Sequence, residues 1–231
     1  MRLLEGFAGR VGSLGGAVLG LLVPPLCVVC ETPLEGAERW VCRRCGQAVA
    51  AGARLRMRSV ALGDGRRLRV LYALEYTPAV ACLVREMKYG GKPGLGGLLA
   101  RVVWQAVADR VDRKAVLVPV PLHPAKRRER GYNQSEVLSR AMAGFAESTV
   151  CPRALVRTRN TPPQAALDRK RRLANITGSL RAGTISGLEG RSLVLVDDVV
   201  TTGSTLRECA RALLDKGLED LQACAIASRD F

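Results

Sequence analysis

"LVLVDDVVTTGST", residues 193–205, runs four apolar residues into two adjacent acids and follows them with a Thr/Gly/Ser turn. A short, continuously apolar run of this kind is the pattern of a strand buried on both faces. A helical pattern resumes at Ser204 and continues to Lys216. Asp197 and Asp198 therefore stand at the carboxyl end of a strand, the edge of an open α/β sheet at which ligands bind. Gly203 permits close backbone approach, while Thr201, Thr202, Ser204 and Thr205 supply hydroxyls. The helix start adds free N–H groups and a positive dipole end, which together make a cradle for a phosphate. Two carboxylates would repel that phosphate, so they must serve a neighbouring hydroxyl-rich group or a bound cation. A ligand with a phosphate beside a vicinal diol satisfies both halves, and a ribose 5-phosphate is such a ligand. Helix capping by Asp explains one carboxylate, but not two together with the hydroxyl cluster.

Alternation of strands and helices extends this reading outward. Strands are predicted at 67–76, 115–122, 153–158, 192–198 and 221–228, with helices at 78–89, 94–111, 133–148 and 204–217. Apolar strands separated by helices predict an α/β fold, a mostly parallel sheet flanked by helices. Residues 50–68 mix Gly, Ala and Arg without clear periodicity, and the domain boundary is placed there, giving an N-terminal module over 1–60 and the α/β domain over 61–231. A P-loop is excluded because "GGKPGLGG" (90–97) lacks the required spacing. "GLGGLL" (94–99) is a poor dinucleotide fingerprint because it follows a helix.

The first module carries Cys27-x2-Cys30 and Cys42-x2-Cys45, with 11 residues between the pairs. Each C-x2-C turn directs two thiolates at one ion, and two turns complete a tetrahedral four-sulfur site suited to a structural Zn²⁺. Cys82, Cys151, Cys209 and Cys224 lie scattered in mostly apolar stretches, as small core residues rather than a disulfide framework. Residues 11–30 carry no charge, but Pro24-Pro25 interrupts the apolar run too early for a membrane span, and no A-x-A cleavage site follows, so the run reads as an N-terminal apolar helix that packs on the rest of the protein or on another surface. The expectation is a cytoplasmic protein without a transmembrane segment.

Lys and Arg number 36 against 21 Asp and Glu, a formal charge of +15 that favours polyanionic partners. Two basic clusters stand out. "HPAKRRERGYNQ" (123–134) follows a predicted strand as a loop with Lys126, Arg127, Arg128 and Arg130, and "QAALDRKRRLAN" (164–175) holds Arg169, Lys170, Arg171 and Arg172. Arg130 is the leading candidate for a pyrophosphate-binding or catalytic cation, and Lys88 is a weaker one that reads as a surface residue on helical periodicity alone. His123, the single histidine, sits between Pro121 and Pro124 and reads as a loop residue rather than a general base.

"VLVDDVVTTGST" resembles the phosphoribosyl-pyrophosphate signature of type I phosphoribosyltransferases. The wider chain resembles the ComF family of competence-related proteins, a phosphoribosyltransferase domain behind a zinc ribbon. That likeness is carried by "PPLCVVC…CRRC", "REMKYGGKPGLGGLLA", "VPVPLHPAKRRERGYNQSEVLSRAMA" and "RTRNTPPQAALDRKRRLANITGSLRA". The resemblance implies a type I phosphoribosyltransferase fold, with Asp197 and Asp198 on the ribose 2′- and 3′-hydroxyls and Thr201–Thr205 on the 5′-phosphate. It also implies Mg²⁺ carried on the pyrophosphate and ribose oxygens, and a mobile substrate-covering loop in the region of the second basic cluster. Two functions follow. One is transfer of a phosphoribosyl group to a nitrogenous acceptor in a DNA-uptake or DNA-processing setting. The other is a nucleic-acid-handling factor that keeps the pocket for sensing, with single-stranded DNA or other competence proteins as partners. Only 9 of 231 residues are aromatic, so such DNA binding would be mainly electrostatic rather than by base stacking.

Overall fold

The computed structural model describes residues 24–159 and 178–229. These fall in two compact units, within Met1–Ala48 and Val49–Phe231. In the first, Leu26 and Pro33 pair in an antiparallel bridge, and helix α1 (Arg43–Ala51) begins just after Cys42. The Cys27 N–H donates to the Thr32 carbonyl at 2.8 Å and the Glu31 N–H to the Cys27 carbonyl at 2.9 Å, closing the first knuckle. Glu38 accepts from the Arg43 N–H at 2.6 Å and from the Glu35 N–H at 3.0 Å, fixing the approach to the second.

The second unit runs β1 (Arg56–Ala61), β2 (Arg67–Glu75), α2 (Pro78–Tyr89), α3 (Leu95–Val107) and β3 (Val116–Pro119). It continues through α4 (Pro124–Arg130), α5 (Gln134–Ala143), β4 (Thr149–Val150), β5 (Leu155–Arg157) and β6 (Leu180–Ala182). It ends with β7 (Leu193–Val200), α6 (Ser204–Leu214) and β8 (Leu221–Ser228). Six strands form one sheet in the order β1-β2-β8-β7-β3-β4. β1 is antiparallel to β2, and every other pairing is parallel. Helix α3 packs on α5, β2 and β8, while α5 covers β3 and β7; α6 packs with β7, β1 and the separate β5–β6 pair. This is the expected α/β architecture. The central strand β7 is buried from Leu193 to Val196, as its continuous apolar run requires.

Two departures from the sequence reading bear on the site. Residues 56–61, expected to be patternless, form the edge strand β1, in which half-buried Arg56 and Arg58 share a face with buried Val60 while Met57, Ser59 and Ala61 are exposed. The basic segment expected as a loop contains a helix, α4. The His123 Nδ1 accepts from the Ala125 N–H at 3.2 Å, Pro124 occupies the first turn, and Gly131 ends the helix at φ +83°. The sole histidine is thus a helix cap. No helix among the described residues is long and apolar enough to cross a membrane.

Candidate functional site

From β3 the chain steps outward to β4, whereas from β7 it steps the other way to β8. The carboxyl ends of β3 and β7 therefore flank a topological switch point. A cleft of about 740 Å³ opens there. Its walls include Asp197, Asp198, Thr201, Gly203, Ser204, Thr205, Lys126 and Arg130, so the acidic strand end and one basic segment meet as expected. Lys88, the weaker candidate cation, lines it as well, and so does Arg157, which the sequence did not single out.

The turn after β7 is held from below. Arg58 of β1 donates from Nη1 to the Thr201 carbonyl at 2.9 Å and to Ser228 Oγ at 2.8 Å. Thr202 lies outside the cleft wall, its hydroxyl 3.1 Å from that of Ser204. Gly203 has φ +74°, and a Cβ there would lie 2.5 Å from Val60 Cγ2. Both the left-handed backbone and the close approach demand glycine. Gly203→Ala is expected to destabilise the protein by about 2 kcal/mol. Thermal denaturation checks this, and an unchanged melting temperature would count against this turn geometry.

The two acids differ in environment. Asp198 is 3% exposed. Its Oδ1 accepts from Lys88 Nζ at 2.7 Å and from the Val199 N–H at 2.6 Å, while Oδ2 is buried with no hydrogen-bond partner among the described residues. Asp197 Oδ1 accepts from the Asp198 N–H at 2.9 Å and, at the long distance of 3.4 Å, from Ser135 Oγ. Burial, reinforced by the neighbouring Asp198 charge, pushes the Asp197 carboxyl up to about 7, against the pull of Lys88 and Arg157. For Lys88, burial opposes the ammonium, but the Asp198 carboxylate outweighs it and raises the pKa.

The helical form of 124–130 divides the first basic cluster. Lys126 and Arg130, four residues apart, share the face that lines the cleft. Arg127 instead pairs with Glu136 at 3.2 Å, and Arg128 is exposed. Arg130 donates to Gln134 and stands 4.9 Å above the Tyr89 ring. Asn133 caps α5 by accepting from the Ser135 N–H and ties it to the end of β3 by donating to the Val120 carbonyl at 3.0 Å. The polar residues after Arg130 thus hold its segment in place. Arg169, Lys170, Arg171 and Arg172 lie outside the described residues.

In the first unit, the sulfurs of Cys27, Cys30, Cys42 and Cys45 lie within 4.8 Å of one another, a cluster that could hold a metal ion. The Thr32 hydroxyl and backbone hold the Cys30 thiol down at about 5, while burial and the neighbouring sulfurs push Cys45 up to about 12. Four sulfurs so close cannot all ionise without a cation, and Zn²⁺ fits an all-thiolate donor set.

Residues 130–230 match the phosphoribosyl transferase domain family. The match begins at Arg130 and encloses both acids and the turn that follows. The chain is 30% identical over 220 residues to the DNA utilization protein YhgH of Salmonella typhimurium, covering 87% of this chain and 96% of that protein. It is 25% identical over 219 residues to Competence protein F of Haemophilus influenzae, with the same two coverages. With Competence protein ComFC of Bacillus subtilis it shares 32% identity over 106 residues, 46% of this chain and 41% of that one.

Proposed function

The chain belongs to the ComF family, and from that premise we propose that its cleft binds phosphoribosyl pyrophosphate and acts as a phosphoribosyl-transfer site. The observation that carries this reading is the meeting of three chemistries in one cleft. Carboxylates suited to a diol lie beside a glycine-initiated helix start suited to a phosphate, and both face the cations Lys88, Lys126, Arg130 and Arg157. On this reading Asp197 and Asp198 accept from the ribose hydroxyls, and Thr201, Gly203, Ser204 and Thr205 surround the 5′-phosphate. Arg130 neutralises the leaving pyrophosphate as positive charge develops on the sugar. Asp198 Oδ1 is already taken by Lys88 and Val199, which suits Mg²⁺ carried on the ligand's own oxygens rather than on the acid pair. That ion supplies further charge neutralisation to the leaving group.

The acceptor is a nitrogenous nucleophile, and the setting is the handling of DNA, supported by the names of the relatives. The protein acts in the cytoplasm, with an N-terminal module over residues 1–60 that includes the zinc ribbon and the transferase-like domain over 61–231. The strongly basic composition favours a second reading, in which single-stranded DNA or another DNA-processing protein is the partner and the cleft only senses the ligand. Millimolar phosphoribosyl pyrophosphate with Mg²⁺ is expected to raise the melting temperature by several degrees. No rise would remove the pocket assignment. Pyrophosphate release on adding a panel of bases and amines separates the two readings, because a sensor binds the donor and releases nothing.

A further inference from the structure

The last turn of α2 connects the two halves of the cleft. Three consecutive residues each reach across to a different part of it. The Met87 carbonyl accepts from the Tyr132 hydroxyl, Lys88 Nζ donates to Asp198 at 2.7 Å, and the Tyr89 ring lies beneath the Arg130 guanidinium. Lys88 thus stands between a residue anchored through its carbonyl and one anchored through its ring, with its own head on Asp198. Its side chain is 23% exposed and that of Asp198 5%, so the pair is largely withdrawn from water and little screened.

We propose that Lys88 is a positioning residue of this site: its ammonium, seated on Asp198, holds the two adjacent carboxylates in their charged, hydroxyl-accepting form and so sets the pH above which the cleft takes its ligand. The ligand side of this inference rests on the phosphoribosyl-pyrophosphate reading. Two neighbouring carboxylates in a crevice cannot both ionise cheaply, and a cation at hydrogen-bond distance from one of them is what allows it. An ionised acceptor binds a hydroxyl more strongly than a neutral one. The charged and titratable groups that act on Asp197 are Asp198, Lys88, Arg157 and Cys209, and Tyr89 acts on Lys88. Lys88 joins the acid pair from α2, an element outside the family match.

The test uses the full chain and two independent readouts. Lys88→Gln keeps a donor for Asp198 Oδ1 but removes the charge, Lys88→Met removes both, and Lys88→Arg keeps the charge. Carboxyl NMR of protein labelled at Asp side chains gives the titration midpoint of Asp197, assigned with Asp197→Asn. Calorimetry with phosphoribosyl pyrophosphate and Mg²⁺ between pH 5.5 and 9 gives the binding profile. In Lys88→Gln the Asp197 midpoint is expected to rise by about one pH unit or more. The rising limb of binding should follow it, with affinity at pH 7 reduced about tenfold and largely recovered at pH 9. Lys88→Arg should restore both curves. Should Lys88→Met fail to fold, the Gln variant still decides. A folded Lys88→Gln protein with an unmoved Asp197 midpoint overturns the proposal, as does a uniform loss of binding with no shift along the pH axis. If the wild type binds no ligand at any pH, the function proposed above fails, while the carboxyl titration still judges the role of Lys88.

Discussion

Asp197→Asn is expected to raise the melting temperature of the ligand-free protein at pH 8 and, in the same protein, to remove most of the ligand-induced rise. The folded state holds the Asp197 proton up to about pH 7, whereas the usual carboxyl value is 3.8. The stability this group confers is therefore complete below about pH 4 and is lost as pH rises through about 7. At pH 8 the carboxylate is charged, half-buried and adjacent to Asp198. Asn removes the charge yet keeps an oxygen to accept from the Asp198 N–H, now at 2.9 Å. The gain at pH 8 is on the order of 2 kcal/mol, or about 5 °C for a chain of this size. It should shrink toward zero near pH 4–5, where the wild-type side chain is also neutral. Ligand binding moves the other way, because an ionic acceptor for a hydroxyl has become a neutral one, a loss of about 1–1.5 kcal/mol. Asp197→Asn combined with Asp198→Asn should erase the ligand response. Thermal scans at pH 5 and pH 8, with and without phosphoribosyl pyrophosphate and Mg²⁺, read both effects. A variant no more stable than wild type at pH 8 would refute the burial argument. One that keeps the full ligand response would refute the role given to Asp197.

That opposition between stability and binding also explains why the site was only partly legible. Asp197 and Asp198 announce themselves because two acids after an apolar strand contradict what burial alone would select. Strand 221–228 and helix 78–89 occur as predicted, since one is a continuous apolar run and the other pairs Thr77 and Pro78 at its start with Val80, Leu83, Val84 and Met87 inside. Lys88 ranks only as a weaker candidate because that same periodicity sets it next to Met87 and off the buried face. Its partner lies 110 residues away, and no local pattern encodes a contact of that span. The surrounding "MKYGG" carried the family resemblance and was the available signal. Arg157 closes a short apolar stretch and reads as a strand residue, although burial in the cleft wall lowers its pKa against the attraction of Asp197. Strand β1 was hidden because Arg56 and Arg58 occupy alternate positions, so its sequence resembles a charged linker. Arg58 nevertheless braces the turn after β7. For α4, four basic side chains in seven residues resembled a solvated loop, and the helix depends on the cap and stop supplied by His123 and Gly131.

In the first unit the largest effect is expected from the loss of a single sulfur. Cys42→Ser should reduce bound zinc from one equivalent to under one fifth and should unfold the turns that carry the other three ligands. Little else holds them. The apolar cluster of this unit consists of Cys27, Leu34 and Cys42, with Val29, Cys30, Val41 and Cys45 packed against it, so ligand residues make up much of its core. Zinc binding to such modules is worth roughly 10–16 kcal/mol, far beyond what a few partly buried side chains provide. The sulfurs already stand in ligand geometry, with Cys30 Sγ and Cys42 Sγ 3.6 Å apart and the Cys42 N–H directed at Cys27 Sγ at 3.4 Å. Chelation should act as the substitution does. In hydrogen exchange, the amides of Cys27, Val28 and Glu31, which bond to Thr32, Trp40 and Cys27, should lose protection. Those of β7 and β8, which are paired within their own sheet, should keep it. Elemental analysis of freshly purified, reduced wild-type protein sets the baseline. Less than half an equivalent of zinc, or knuckle amides that stay protected after chelation, would mean that the four cysteines support the fold without a metal.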